Sequence, residues 1–133
     1  MINLQWDSKF ELGHEKIDFE HQIFLDLIRS ASELSPESEK VSRILKEVEK
    51  YAEFHFLSEE NVMIDCGYPD YINHKEEHKR LIALLREHIF KFNHQEIDLE
   101  DVVEFLFQWF ALHTTQVDSK LTRYIKEHSS VSE

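Results

Sequence analysis

The sequence predicts an all-α protein: an up-down-up-down four-helix bundle with an N-terminal arm and a short C-terminal helix. Three observations carry this. Among 133 residues there are only two Gly and two Pro, so little interrupts long runs rich in Glu, Lys, Leu and Ile. Apolar residues recur at helical spacing over four separate stretches. The stretches are joined by short, breaker-rich segments, which favours antiparallel neighbours. The length suits one domain, with a core large enough to need no disulfide.

Residues 1–17 form an arm without sustained periodicity, in which Trp6, Phe10 and Leu12 must find a surface to pack on. A first helix over 18–34 is expected, with Asp18 as its N-cap and Ile17, His21, Phe24, Leu25, Ile28 and Ala31 on one face. Ser35-Pro36 reads as the cap and first position of a second helix over 37–64, whose stripe is Val41, Ile44, Leu45, Val48, Ala52, His55, Glu59 and Val62. Gly67, in a left-handed conformation, and Pro69 end it. A third helix over 70–92 carries Tyr71, His74, His78, Leu81, Leu85, Ile89 and Phe92. Asp98 caps a fourth over 98–118 with Val102, Leu106, Trp109, Phe110, His113 and Val117 inward. A short helix opens the tail, 119–133.

Charge narrows the function classes. With 27 acidic and 15 basic residues the formal net charge is −12. That disfavours nucleic acid, whose binding rests on phosphate neutralisation, and anionic membrane surfaces. No apolar run is long enough to span a bilayer. Cys66 is the only cysteine, so no internal disulfide forms. The start of the chain lacks the pattern of a secretory signal, and a cytoplasmic monomer is expected.

The chemistry lies where the apolar stripes are broken. Polar residues on a core face are costly unless paired, hydrogen-bonded or bound to metal. His55 and Glu59, like His74 and His78, are four apart and share a helix face. His21 lies on the buried side of the first helix; His113 lies in the stripe of the fourth, with Asp118 five residues on. Any one of these could be an ordinary hydrogen-bonded core residue. All of them together would require five His and two carboxylates to fall inward on four helices by accident. Five imidazoles and two carboxylates exceed what one tetrahedral zinc uses. Two metals fit if Glu59, Asp118 and a hydroxide bridge them, and three imidazoles on one metal then leave the other an open position. Iron suits the mixed shell, although ligand type alone leaves manganese and zinc open.

These positions carry a family resemblance. His21, His55-x-x-x-Glu59, His74-x-x-x-His78 and His113-x-x-x-x-Asp118 resemble the full ligand signature of hemerythrins in order and spacing. So do the flanking Trp6-Asp7, Gly13, Ile17-Asp18-Phe19-Glu20-His21, His55-Phe56-x-x-Glu59-Glu60, Gly67-Tyr68-Pro69 and Trp109-x-x-x-His113, over essentially the whole chain. The resemblance implies two non-haem iron ions bridged by Glu59, Asp118 and an oxo or hydroxo group. It assigns His74, His78 and His113 to the closed iron and His21 and His55 to the open one. It implies reversible dioxygen binding, for storage, delivery or sensing, by a carrier rather than an enzyme. A di-iron redox enzyme acting on peroxide, NO or ferrous iron is the alternative, and an oxygen-accepting or signalling partner is left open. Reversibility demands an apolar pocket, for which Phe24, Phe56, Trp109 and Phe110 lie within a turn of the ligands. Thr114 joins that pocket as a departure, because the family usually places an aliphatic residue there.

The spacing of Asp118 makes a structural demand. At ~100° per residue, five residues leave Asp118 about 140° from His113 on a regular helix. Both face one metal pair only if the helix carries a π-bulge, or ends, near residues 115–118. His14, His88, His94 and His128 fall outside the constellation, Glu60 reads as surface, and Cys66 reads as a loop residue without a role.

Overall fold

The computed structural model describes residues 4–129, so expectations for 1–3 and 130–133 lie outside it. A 3-10 turn, Ser8–Phe10, precedes α1 (Glu15–Ser32), α2 (Lys40–Cys66), α3 (Tyr71–Asn93) and α4 (Leu99–Leu112). A π-helical segment, His113–Asp118, joins α4 to α5 (Ser119–Ser129) without a break. Among the described residues there is no strand, and α1 and α3 each pack on both α2 and α4, the neighbour pattern of an up-down-up-down bundle.

Several ends differ from the sequence expectation. The N-cap of α1 is His14, whose Nδ1 accepts from the Ile17 N–H at 3.2 Å. Asp18 instead turns back on the arm and accepts from the Leu12 and Gly13 N–H groups, both at 2.9 Å. A carboxylate binding two loop amides outbids a role at a helix end that an imidazole already fills. Gly13 makes the bend: its φ is +84°, and a Cβ there would meet Lys126 of α5. Ser35 and Pro36 belong to a turn, and α2 begins at Lys40, whose N–H donates to Ser38 Oγ at 3.1 Å. Cys66 closes α2 instead of lying in a loop, and Gly67 follows with φ +67°. Asp98 caps α4 as expected, in a reciprocal capping box with Asp101.

The arm is fastened by two Arg29 bonds to the Leu4 carbonyl, at 3.0 and 2.7 Å. It buries Phe10 edge-on to Phe110, with ring centroids 5.0 Å apart. The interior falls into two apolar clusters. The larger gathers Phe24, Leu25, Ile28, Leu45, Val48, Leu85, Val102 and Leu106; the smaller is Ile17, Met63 and Leu121 with partly buried Leu12, Cys66, Tyr68, Tyr71 and Ile125 around them. Each of the four chain passes crosses a polar layer between them. From the small cluster to the large it reads Ile17–His21–Phe24, Met63–Glu59–His55–Ala52, Tyr71–His74–His78–Leu85 and Leu121–Asp118–His113–Phe110.

Candidate metal centre

The layer holds the seven side chains singled out above, and every one is buried; Glu59 and Asp118 are 1 and 0 % exposed. The i,i+4 pairs on α2 and α3 bring two ligands each into it. The fourth contribution depends on the π segment. Its i→i+5 closure, seen in the Ser119 N–H bond to the Thr114 carbonyl, makes a fifth residue fall nearly one full turn on. His113 and Asp118 therefore face the same gap, as their spacing demands. Two hydroxyls serve carbonyls in and just before this segment: Thr115 Oγ1 donates to the Ala111 carbonyl at 2.7 Å and Ser119 Oγ to that of Thr115 at 2.6 Å. Thr115 thus turns its hydroxyl back onto the preceding turn, while its neighbour Thr114 is 1 % exposed.

The ligand atoms fall into two overlapping groups, each within 4.8 Å internally: Glu59, His74, His78, His113 and Asp118; and His21, His55, Glu59 and Asp118. The carboxylates belong to both, and each divides its oxygens. Glu59 Oε1 lies 2.8 Å from His74 Nε2 and 3.0 Å from His78 Nε2, and Asp118 Oδ1 lies 3.1 Å from His74 Nε2 and 3.2 Å from His113 Nε2. On the other side, Glu59 Oε2 lies 3.5 Å from His55 Nε2, and Asp118 Oδ2 lies 3.0 Å from His21 Nε2. Two donors at right angles, each about 2.1 Å from one ion, would stand about 3.0 Å apart, so these separations fit ligands sharing a metal.

Hydrogen bonding alone leaves the layer unsatisfied. His55 Nε2, His113 Nε2, Glu59 Oε2 and Asp118 Oδ2 are buried without a hydrogen-bond partner. An imidazole nitrogen bearing a lone pair, opposite a carboxylate oxygen, is reconciled only by a cation between them. In the metal-free chain a proton can play that part. Burial opposes charging His74, but hydrogen bonds and charge from Asp118 and Glu59 outweigh it and lift the imidazole to about 10. Burial and the Asp118 charge push Glu59 up, yet bonds to His74 and His78 hold it at about 2. Asp118 is likewise held well below the usual carboxylate range, against burial, by His113, His21 and His74. The layer is built to hold positive charge, and its donor set fits two divalent ions.

Two carboxylates to which the sequence reading gave no role touch the imidazoles from outside. Glu20 Oε1 is 2.7 Å from His55 Nδ1, and Glu60 Oε2 is 2.9 Å from His78 Nδ1. Glu60 is therefore not a free surface side chain: α2 and α3 lie close enough for it to reach across. The signal was available. Ile17, Glu20, His21, Phe24 and Phe56, Glu60, Met63 both follow the spacing of a buried face.

Aromatic rings close the layer toward the larger cluster. Phe56 stacks on His78 with centroids 3.9 Å apart, Phe110 meets His21 edge-on at 5.6 Å, and Trp109 lies 6.3 Å from His113. Phe24 stands behind them, 5.1 Å from Trp109. Among the described residues no helix is long and apolar enough to cross a membrane.

Comparison with known proteins agrees with this geometry. Residues 12–125 match the family model for the hemerythrin HHE cation binding domain. A bacteriohemerythrin of Clostridium acetobutylicum is 31% identical over 125 residues, covering 85% of this chain and 94% of that one. A myohemerythrin of Theromyzon tessulatum is 35% identical over 82 residues, covering 62% and 65%. The crystal structure of a wild-type hemerythrin superposes with a TM-score of 0.81 over 91% of this chain and 96% of that one, at 24% identity.

Proposed function

The chain belongs to the hemerythrin family, and on that premise we propose that it binds dioxygen reversibly at a non-haem di-iron centre held by His21, His55, Glu59, His74, His78, His113 and Asp118. The observation that carries the reading is the unequal division of the imidazoles: three face one oxygen of each carboxylate, and two face the other. Glu59 and Asp118, which belong to both groups, would hold both ions, and the group with two imidazoles would keep a position for a small ligand. When bound, a ferrous pair would supply the electrons that hold and release dioxygen.

The protein's part is to bind, orient and exclude water. Phe24, Phe56, Trp109 and Phe110 line the side toward the larger apolar cluster and keep outside protons from the site. Thr114 places a hydroxyl where the relatives' usual aliphatic residue has none, and it tunes how long the ferrous form survives. The His-rich donor set favours a carrier over the carboxylate-rich oxidases. The test is optical. The protein is loaded with ferrous iron without air, dioxygen is admitted, and the solution is purged. A visible band that rises with dioxygen and fades on purging is expected; irreversible conversion to the ferric form would overturn reversible binding and favour redox chemistry at the same site.

A further inference from the structure

We infer that Glu20 and Glu60 are positioning residues, each governing retention of one metal ion: Glu20, through His55, the ion of the two-imidazole group, and Glu60, through His78, that of the three-imidazole group. This rests on the centre proposed above.

Each group has one imidazole with an outer carboxylate. The Nδ1 atoms of His21, His74 and His113 are buried and have no hydrogen-bond partner, whereas those of His55 and His78 face Glu20 and Glu60. An ionised carboxylate only accepts, so Nδ1 of His55 and of His78 must donate. A neutral imidazole that donates at Nδ1 keeps its lone pair at Nε2, the atom that faces the carboxylates shared by the two groups. The negative charge behind the ring also makes Nε2 a stronger donor to metal. Without it the ring can move its proton to Nε2, bond to Glu59 and cease to be a ligand.

The two carboxylates are held differently. Glu20 is 7 % exposed and accepts a second bond, from Ser58 Oγ at 2.9 Å. Its backbone carbonyl accepts from Tyr51 Oη at 2.8 Å. Tyr51, His55 and Ser58 lie on one face of α2, so this helix sets both the ligand and the group that orients it. Glu60 opens with His78 onto a cleft of about 310 Å³ between α2 and α3, rimmed by Lys79 and Arg86.

The whole chain, stripped of metal and reloaded with zinc(II), gives two stepwise binding constants by competition with a chromophoric chelator. Cobalt(II)-loaded samples give the imidazole N–H proton resonances, which identify the group affected. Glu20→Gln keeps the shape and removes the charge. It is expected to weaken one constant about 10- to 100-fold, leave the other unchanged and move the His55 N–H resonance. Glu60→Gln is expected to weaken the other constant and move that of His78. Ser58→Ala, which spares both charges, weakens the same constant as Glu20→Gln by a smaller factor and serves if a charge variant fails to fold. Two ions in wild type, with both constants falling together or neither moving in the variants, would overturn the inference alone. Fewer than two ions in wild type would overturn the centre and the inference with it.

Discussion

Removing the metal ions should cost this protein a large part of its thermal stability, and the structure sets the scale. Four buried atoms face the gap without a hydrogen bond: His55 Nε2, His113 Nε2, Glu59 Oε2 and Asp118 Oδ2. A buried polar atom left unsatisfied costs ~1–3 kcal/mol, so satisfying these four with ions contributes ~4–12 kcal/mol. Mass action gives a similar size, since each ion present at a thousandfold excess over its Kd adds ~4 kcal/mol. A chain of 133 residues has an unfolding entropy near ~0.3 kcal/mol/K, so the melting temperature should drop by ~15–40 °C on stripping. Calorimetry of the zinc-loaded and chelator-treated protein, at equal pH and ionic strength, measures the difference. A drop of only a few degrees would refute the reasoning, because the four atoms would then be satisfied without a cation.

Other outcomes follow from the same geometry. His74 in the metal-free chain is raised to about 10, above its unfolded value of about 6.5. Its proton thus stabilises the metal-free fold fully below the unfolded value, and that contribution is lost as pH rises through the folded one. A metal-bound His74 has no such proton to lose, so the gap in melting temperature between loaded and stripped protein should widen from pH 6 to pH 9; a constant or narrowing gap would count against a cation-seeking layer. Phe56→Ala removes a buried ring stacked on His78 and edge-on to Trp109, so denaturant melts should show a loss of ~3–5 kcal/mol and stopped-flow spectra a faster oxidation of the ferrous form. Thr114→Ile replaces a buried hydroxyl with an aliphatic group and should slow that oxidation; an unchanged rate would remove Thr114 from the pocket.

Most of the centre was legible because helices repeat. His55 and Glu59, or His74 and His78, could share a face only on an α-helix. His113 and Asp118 could share one only off it, so the π segment is readable in the sequence as a broken rule. Asp18 was misassigned because a carboxylate at the start of an apolar run looks like a cap, and nothing local reveals that the amides of Leu12 and Gly13 fold back onto it. Glu20 and Glu60 escaped for a related reason. The spacing put each on a buried stripe, but the partner of each lies on another helix, 35 residues away for Glu20 and 18 for Glu60. Periodicity tells which way a side chain faces; what it meets there depends on how neighbouring helices register.

The polar layer divides the interior unequally, and this bears on traffic. All seven candidate ligand side chains are buried, so an ion passes only as packed side chains move. On one side stands the large cluster, shared by all four long helices; on the other, Ile17, Met63 and Leu121 are, among the described residues, the fully buried apolar side chains of the small one. Exposing those three side chains costs ~1.5–3 kcal/mol each, far less than exposing the large cluster would. Substituting Ile17, Met63 or Leu121 should therefore change the lifetime of the loaded state while leaving every ligand in place.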